Sequence, residues 1–221
     1  MNYIQIAIDG PAGAGKSTIA KLIAEYMNYI YIDSGAMYRA ITLKAINLGI
    51  DLEDERQYDF VKTTKFSFLN GTLFMDGVDV SHDIRENEIS NNVSLVSSYF
   101  FVREELVRAQ QDLAKNHNVV MDGRDIGYNV LPDAKHKFYL TASIKKRAQR
   151  RNLDNKTRNI KTDLELIEKE IERRDFLDTT RKYSPLKAAD DAVIIDTSDL
   201  SIDQVVKLIT QKIMEDEKNG F

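Results

Sequence analysis

The chain has 221 residues, no cysteine, 43% hydrophobic residues and a formal net charge of −4. This length and apolar content predict one α/β core domain with insertions, and the lack of cysteine excludes disulfides and thiolate chemistry. The acidic balance argues against a nucleic-acid-binding protein. No signal peptide or membrane-length apolar stretch is visible, so we expect a monomeric cytoplasmic protein without a membrane or nucleic-acid partner.

The first predicted elements are a strand over residues 4–8, a glycine loop and a helix over residues 17–27. The loop fits the phosphate-binding pattern G-x-x-x-x-G-K-[ST], whose backbone N–H groups point at a bound polyphosphate. Lys16 would reach the outer phosphates and the Ser17 hydroxyl would help to hold Mg²⁺. A plain glycine turn is the alternative. The residues predicted to bind ATP here are Gly10, Pro11, Ala12, Gly13, Ala14, Gly15, Lys16, Ser17 and Thr18.

Further strand and helix signals alternate along the chain. The strands are predicted over residues 29–32, 119–121, 137–140 and 192–195, and the helices over residues 36–48, 102–115, 144–151, 164–176 and 202–214. Such alternation predicts an α/β fold with a five-stranded parallel sheet flanked by helices.

One segment departs from this alternation. Short strand-like stretches at residues 65–69, 72–75 and 78–80 are joined by Asn70-Gly71 and Asp76-Gly77, which are dipeptides typical of type I′ hairpin turns. We therefore predict a small three-stranded antiparallel sheet, inserted between the second and third core strands on the substrate side.

A phosphate-binding loop alone does not distinguish kinases, motors and GTPase switches. No Asp is followed three positions later by Gly, and the sequence Asn155-Lys156-Thr157-Arg158 ends in the wrong residue for a guanine-binding motif. Arginines instead follow the predicted strands, and phosphoryl transfer requires such positive groups around the transferring oxygens. The sequence therefore favours a kinase.

Four segments together resemble the bacterial cytidylate kinase family of nucleoside monophosphate kinases, over nearly the whole chain. They are residues 10–17, the sequence Asp33-Ser-Gly-Ala-Met-Tyr-Arg39, the sequence Asp122-Gly-Arg-Asp125, and Arg174-Asp-x-x-Asp178-x-x-Arg181. The resemblance implies a P-loop NTPase-like core and transfer of the terminal phosphoryl group of ATP to CMP or dCMP with Mg²⁺.

The resemblance also implies a division of the chain into three regions. The core comprises residues 1–33, 102–145 and 182–221. The monophosphate-binding region is 34–101, with the inserted sheet near 65–80. A mobile lid covers 146–162, with a flanking helix over 163–181.

Cytosine recognition is expected from three residues. Asp125 can accept from the exocyclic amine that uracil lacks, Arg103 can donate to the ring nitrogen and carbonyl, and Ser94 adds a hydroxyl. The family pattern places Asp178 on the sugar with Ser34 nearby, although Ser34 and Asp33 could instead cap a helix. By the same resemblance Arg39, Arg124 and Arg181 bind the acceptor phosphate, with Arg174 in the same cluster.

The expected catalytic residues are Lys16, Arg124, Arg174 and Arg181. Asp122 is assigned to Mg²⁺ through water, with ordering of the loop as the alternative. Arg147, Arg151 and Arg158 are expected as a group to act on ATP from the lid. His82, His117 and His136 are expected to be structural or surface residues. Other acceptors, such as AMP, UMP or a small metabolite, and a nucleotide-dependent switch remain open as alternatives.

Overall fold

The computed structural model describes residues 3–69, 71–157 and 163–218. Arg158 and Asn70, both singled out above, lie outside the described residues. In chain order the elements are β1 (Gln5–Asp9), α1 (Lys16–Met27), β2 (Ile30–Asp33), α2 (Ser34–Asn47), β3 (Phe66–Leu69), β4 (Thr72–Met75), β5 (Val78–Asp79), α3 (Asn87–Val96), α4 (Phe100–Ala114), β6 (Val119–Gly123), β7 (His136–Thr141), α5 (Ile144–Thr157), α6 (Leu164–Thr180), β8 (Val193–Asp196) and α7 (Ile202–Lys218).

The core is a five-stranded parallel sheet in the order β2-β6-β1-β7-β8, as the alternation of elements predicts. The central strand β1 is apolar and fully buried at Ile6, Ala7 and Ile8, because helices cover both faces of the sheet. Side chains of α1 and α7 pack on one face and side chains of α2 and α4 on the other. The loops that leave the carboxyl ends of β1, β2 and β6 therefore meet at one edge of the sheet.

The predicted insertion is confirmed as a three-stranded antiparallel sheet in the order β3-β4-β5, between β2 and β6 in the chain. Its second turn has positive φ at both Asp76 (53°) and Gly77 (83°), as a type I′ turn requires. Lys44 of α2 donates to the Asp76 carboxylate at 2.6 Å, and Phe66 and Phe68 pack against the main core. The small sheet is thus attached to α2.

Two stretches differ from the sequence-based expectation. Helix α3 was not predicted, because Asn and Ser separate its buried Ile89 and Val93, and both are poor helix formers. Helix α5 continues to Thr157, beyond the predicted end of this helix at residue 151. Ala148 of α5 packs on Ile167 and Ile171 of α6, and this small apolar contact supports an otherwise polar helix.

Among the helices formed by residues 3–69, 71–157 and 163–218, none is long and apolar enough to cross a membrane.

Candidate active site

The glycine loop follows β1 and leads directly into α1. Gly10 has a φ of +145°, and a Cβ there would lie 2.0 Å from the carbonyl oxygen of Leu140 on β7, so only glycine fits. Gly15 is the N-cap of α1 and offers no side chain to the first-turn amides. A helix N-terminus of this kind attracts anions through its free N–H groups and its dipole.

Lys16 lies inside this loop. Its ammonium group is buried and donates to the carbonyl oxygen of Pro11 at 2.9 Å. Burial, and next the positive charge of Arg124, lower the pKa of Lys16. A phosphate bound in the loop would add negative charge beside this lysine and favour its charged form.

Asp122 is the second-last residue of β6. It lies in register with Ile8 of β1 on one side and with Asp33 of β2 on the other. Its carboxylate accepts from the Ser17 hydroxyl at 2.9 Å and from the Tyr31 hydroxyl at 2.8 Å. Burial, reinforced by the nearby Asp33, raises the pKa of Asp122 to about 7. A carboxylate next to a loop hydroxyl gives two hard oxygen ligands, which suits Mg²⁺.

The rest of a Mg²⁺ coordination shell would have to come from water and phosphate oxygens. Within the described ranges, no group of three or more His, Asp or Glu side chains could hold a metal ion. Mg²⁺ commonly binds through one or two carboxylates plus substrate phosphates, so Ser17 and Asp122 fit this ion.

Asp33 and Ser34 connect β2 to α2. Asp33 caps α2 by accepting from the amide of Ala36 at 2.9 Å, and the buried Ser34 hydroxyl donates to the carbonyl of Asp122 at 2.6 Å. A Cβ at Gly123 would lie 2.5 Å from the Ser34 oxygen, so glycine is needed there for this contact. The cap proposed for Asp33 is therefore present, and Ser34 ties α2 to β6.

A cleft opens beside this junction, between α2, α3, α4 and α6. The residues that line it are Ser34, Gly35, Tyr38, Val93, Ser97, Arg103, Gly123, Arg124, Asp125, Arg174, Asp178 and Arg181. Six of the eight residues expected to bind CMP line it. The other two lie on α2 and α3: Arg39 is held by the Ser90 hydroxyl of α3 at 2.8 Å, and Ser94 is half-buried.

One end of the cleft holds a buried ion pair. The Arg103 guanidinium donates from Nη2 to Asp125 Oδ2 at 2.5 Å, and both side chains are about 95% buried, with 4% and 5% exposed. Arg103 also donates to the Ser97 carbonyl at 3.1 Å and lies over the Tyr38 ring, 5.3 Å from its centroid. Arg181 approaches the other carboxylate oxygen at 3.5 Å. This end presents a fixed array of donors and acceptors.

The other end carries an excess of positive charge. Arg124 pairs with Asp178 of α6 at 2.9 Å. Arg174 lies one turn earlier on α6, with its buried Nε unpaired among the described atoms. Burial, and next the charges of Arg124 and Arg39, lower the pKa of Arg174 to about 9. Clustered cations with lowered pKa values mark a site built for an anion.

The arginines of α5 lie on the other side of the glycine loop. Arg147 is buried and donates to the carbonyls of Ala142 and Ala12 at 2.9 and 3.0 Å and to Asp175 at 2.6 Å. Arg150 reaches the Ala14 carbonyl at 3.4 Å. Arg151 is more exposed and lies 3.6 Å from Glu170. The structure thus places Arg147 beneath the loop and Arg151 nearer to solvent.

Several residues of this site, among them Tyr31, Ser97 and Asp9, were not singled out from the sequence. Tyr31 orients Asp122, Ser97 lines the cleft, and the buried Asp9 accepts from the amides of Ile126 and Gly127, both at 2.8 Å. Asp9 had one available signal, because it is a carboxylate at the end of an apolar strand, immediately before the glycine loop.

The chain matches a family model described as "Cytidylate kinase" over residues 6–215. Cytidylate kinases of Bacillus thuringiensis (strain Al Hakam) and Bacillus anthracis (strain A0248) are each 51% identical over 216 residues, which cover 96% of this chain and 94% of the relative. Among solved structures, an uncharacterized protein from Eubacterium ventriosum ATCC 27560 covers 97% of this chain and 99% of its own, with a TM-score of 0.52 and 13% identity, a likeness of fold alone. From the extent of the family match and this identity over nearly the full length, we conclude that the chain belongs to the cytidylate kinase family.

Proposed function

We propose that this protein transfers the terminal phosphoryl group of ATP to CMP or dCMP, giving ADP and CDP or dCDP. The observation that carries the proposal is the pair Arg124 and Asp125 at the end of β6. Arg124 enters the cationic end of the cleft and Asp125 the end that holds Arg103. One loop thereby serves a phosphate site and a base site in the same cleft.

The base site suits cytosine. Asp125 would accept from the exocyclic amine, and Arg103 would donate to the ring nitrogen and carbonyl, as the donor and acceptor pattern of that base requires. Ser94 would add a hydroxyl from α3. Uracil presents a carbonyl where cytosine has its amine, so it would face the Asp125 carboxylate without a proton to donate.

The phosphate of CMP would lie among Arg39, Arg124, Arg174 and Arg181, with Asp178 and Ser34 toward the sugar. Burial, and next the positive charges of neighbouring arginines, lower the pKa values of Arg39 and Arg174, and a bound anion would offset both effects. These guanidinium groups would also stabilise the charge of the transferring phosphoryl group.

ATP would bind with its phosphates on the loop from Gly10 to Thr18, and Lys16 would act on the transferring group. Ser17, and Asp122 through water, would hold Mg²⁺, which neutralises phosphate charge when it is bound. Arg147, Arg151 and Arg158 would act on ATP as a group from the lid, Arg147 by holding the loop through the Ala12 carbonyl.

The proposal includes the division into a core, a monophosphate-binding region over residues 34–101 and a lid over residues 146–162. Lid closure would exclude water from the transferring group and so suppress hydrolysis of ATP. It also includes action as a cytoplasmic monomer on small nucleotides, without a nucleic-acid partner, in keeping with the net charge of −4.

The test is a panel of acceptors. The purified protein is incubated with ATP, Mg²⁺ and either CMP, dCMP, UMP, AMP or GMP, and ADP release is followed. Fast release with CMP and dCMP alone is the expected result. Fast release with a different monophosphate would overturn the assignment of Asp125 and Arg103 to cytosine, and release that no monophosphate accelerates would overturn the kinase proposal.

A further inference from the structure

Asp125 is followed by one turn of helix that brings Asn129 back onto it. The amides of Asn129 and Val130 donate to the carbonyl oxygen of Asp125 at 3.0 and 3.3 Å, so the Asn129 side chain lies on the same side of the turn as the Asp125 side chain. Its Nδ2 donates to Asp125 Oδ2 at 2.8 Å. The amide NH₂ faces the carboxylate because an ionised carboxylate only accepts.

The two oxygens of Asp125 are used unequally. Oδ2 accepts from Arg103 Nη2 at 2.5 Å and from Asn129 Nδ2 at 2.8 Å. Among the described residues, Oδ1 accepts one long hydrogen bond, from Arg181 Nη2 at 3.5 Å. Each carboxylate oxygen has about two lone-pair sites, so Oδ2 is saturated and the remaining capacity to accept is on Oδ1.

We propose that Asn129 is a positioning residue for base recognition: its amide fixes the rotation of the Asp125 carboxylate, so that Oδ1 is held free for the amino group of cytosine. The inference rests on the proposed function, because it assigns Asn129 to the same base site. The carboxylate torsion of an Asp side chain has a broad, two-fold profile and needs such a restraint. Arg103 alone would hold Asp125 Oδ2 from one direction and leave the carboxylate able to rotate. The second hydrogen bond, from Asn129, restrains that rotation.

The helical turn that contains Asn129 is also held by contacts that do not involve the Asn129 side chain. Asp9 accepts from the amides of Ile126 and Gly127 at the start of the turn. At its end, Gln111 of α4 donates from Nε2 to the carbonyl of Val130 at 3.0 Å. Gln111 therefore supports the same turn without contacting Asp125, and Gln111→Ala is a matched control for loosening of the turn.

The test compares Asn129→Ala, the isosteric Asn129→Asp and Gln111→Ala with the wild-type protein. The readouts are kcat and KM for CMP and UMP at saturating ATP, KM for ATP, and calorimetric binding of CMP alone. We expect Asn129→Ala to lower the ratio of kcat/KM for CMP to that for UMP by about tenfold, mainly through KM for CMP. Asn129→Asp, which sets a second carboxylate against Asp125, should lower it further.

KM for ATP is expected to stay within about twofold of wild type in both Asn129 variants, since neither touches the glycine loop. Gln111→Ala should keep the wild-type ratio. A similar loss of the ratio in Gln111→Ala would overturn the inference, because order of the turn and not the Asn129 amide would then set the preference. A wild-type ratio of kcat/KM for CMP to that for UMP in either folded Asn129 variant would also overturn the inference. Asn129→Asp keeps the size of the side chain, so the test can still be made if Asn129→Ala does not fold.

Asp125→Ala separates this inference from the proposed function. If Asp125→Ala abolishes the preference for CMP while both Asn129 variants keep it, the inference about Asn129 fails and the proposed function stands. If Asp125→Ala itself keeps the preference, the assignment of Asp125 to the base fails, and the inference fails with it.

Discussion

Asp125→Ala should destabilise the protein strongly as well as change its substrate preference. The carboxylate is 5% exposed and accepts from Arg103 at 2.5 Å and from Asn129 at 2.8 Å. The substitution leaves the Arg103 guanidinium buried, with the Ser97 carbonyl as a neutral partner and its Nε already unpaired among the described atoms. Breaking a buried ion pair by removing one partner costs about 3–5 kcal/mol. We expect a loss of this size in the free energy of unfolding.

Urea unfolding at pH 7, followed by far-UV circular dichroism, measures this loss. The matched control is Asp59→Ala, which makes the same chemical change in an exposed pair, where Asp59 is 79% exposed and Lys62 is 52% exposed. The control should cost less than about 1 kcal/mol. A loss under about 1 kcal/mol for Asp125→Ala would show that Asp125 does not compensate a buried cation. Activity of Asp125→Ala must therefore be measured where the variant is folded.

Three further substitutions test other parts of the site. Lys16→Ala should lower kcat by about 10²–10³-fold with an unchanged circular dichroism spectrum, since the proposed function has Lys16 act on charge in the transition state; loss of the folded protein would instead assign it a structural role. Arg174→Met removes a buried cation that Arg124 repels, so in phosphate-free buffer this variant should unfold at a urea concentration equal to or higher than that for wild type. Its KM for CMP should rise about tenfold or more, because the same cation is expected to bind the acceptor phosphate. A variant that is less stable than wild type and has a normal KM for CMP would contradict this prediction. Burial raises the pKa of Asp9 from 3.8 to about 6, so the folded state binds this proton more tightly than the unfolded state. The free energy of unfolding of wild type, relative to that of Asp9→Asn, should therefore fall by up to about 3 kcal/mol as the pH rises from about 4 to about 6. A difference in free energy of unfolding between the two proteins that stays constant with pH would argue against a raised pKa of Asp9.

The elements that the sequence predicts well are those with short-range signals. The glycine loop and the type I′ turn at Asp76-Gly77 depend on residues that few other conformations accommodate, and both are found where expected. The parallel sheet follows from the alternation of strands and helices. Helix α3 was missed because its apolar residues are separated by Asn and Ser, and packing on α2 overrides that weak local preference.

The candidate site shows a similar division. Roles for strand-end residues such as Asp122 and Arg124 were predicted from the family resemblance, together with their position at the carboxyl end of a parallel strand. Asp9, Tyr31 and Asn129 were not found, because each acts on a partner about 90 or more positions away, or on a neighbour through a helical turn that no local signal marks. Tertiary structure brings the partners of Asp9 and Tyr31 within hydrogen-bond distance, and the turn after β6 does so for Asn129.

The most direct test of the central claim follows the phosphoryl group itself. The protein is mixed with ATP labelled in its terminal phosphoryl group, Mg²⁺ and CMP, the reaction is stopped within one turnover, and the nucleotides are separated by chromatography. The label should appear in CDP in a one-to-one ratio with the ADP formed. Label recovered as inorganic phosphate, with CMP unchanged, would contradict it.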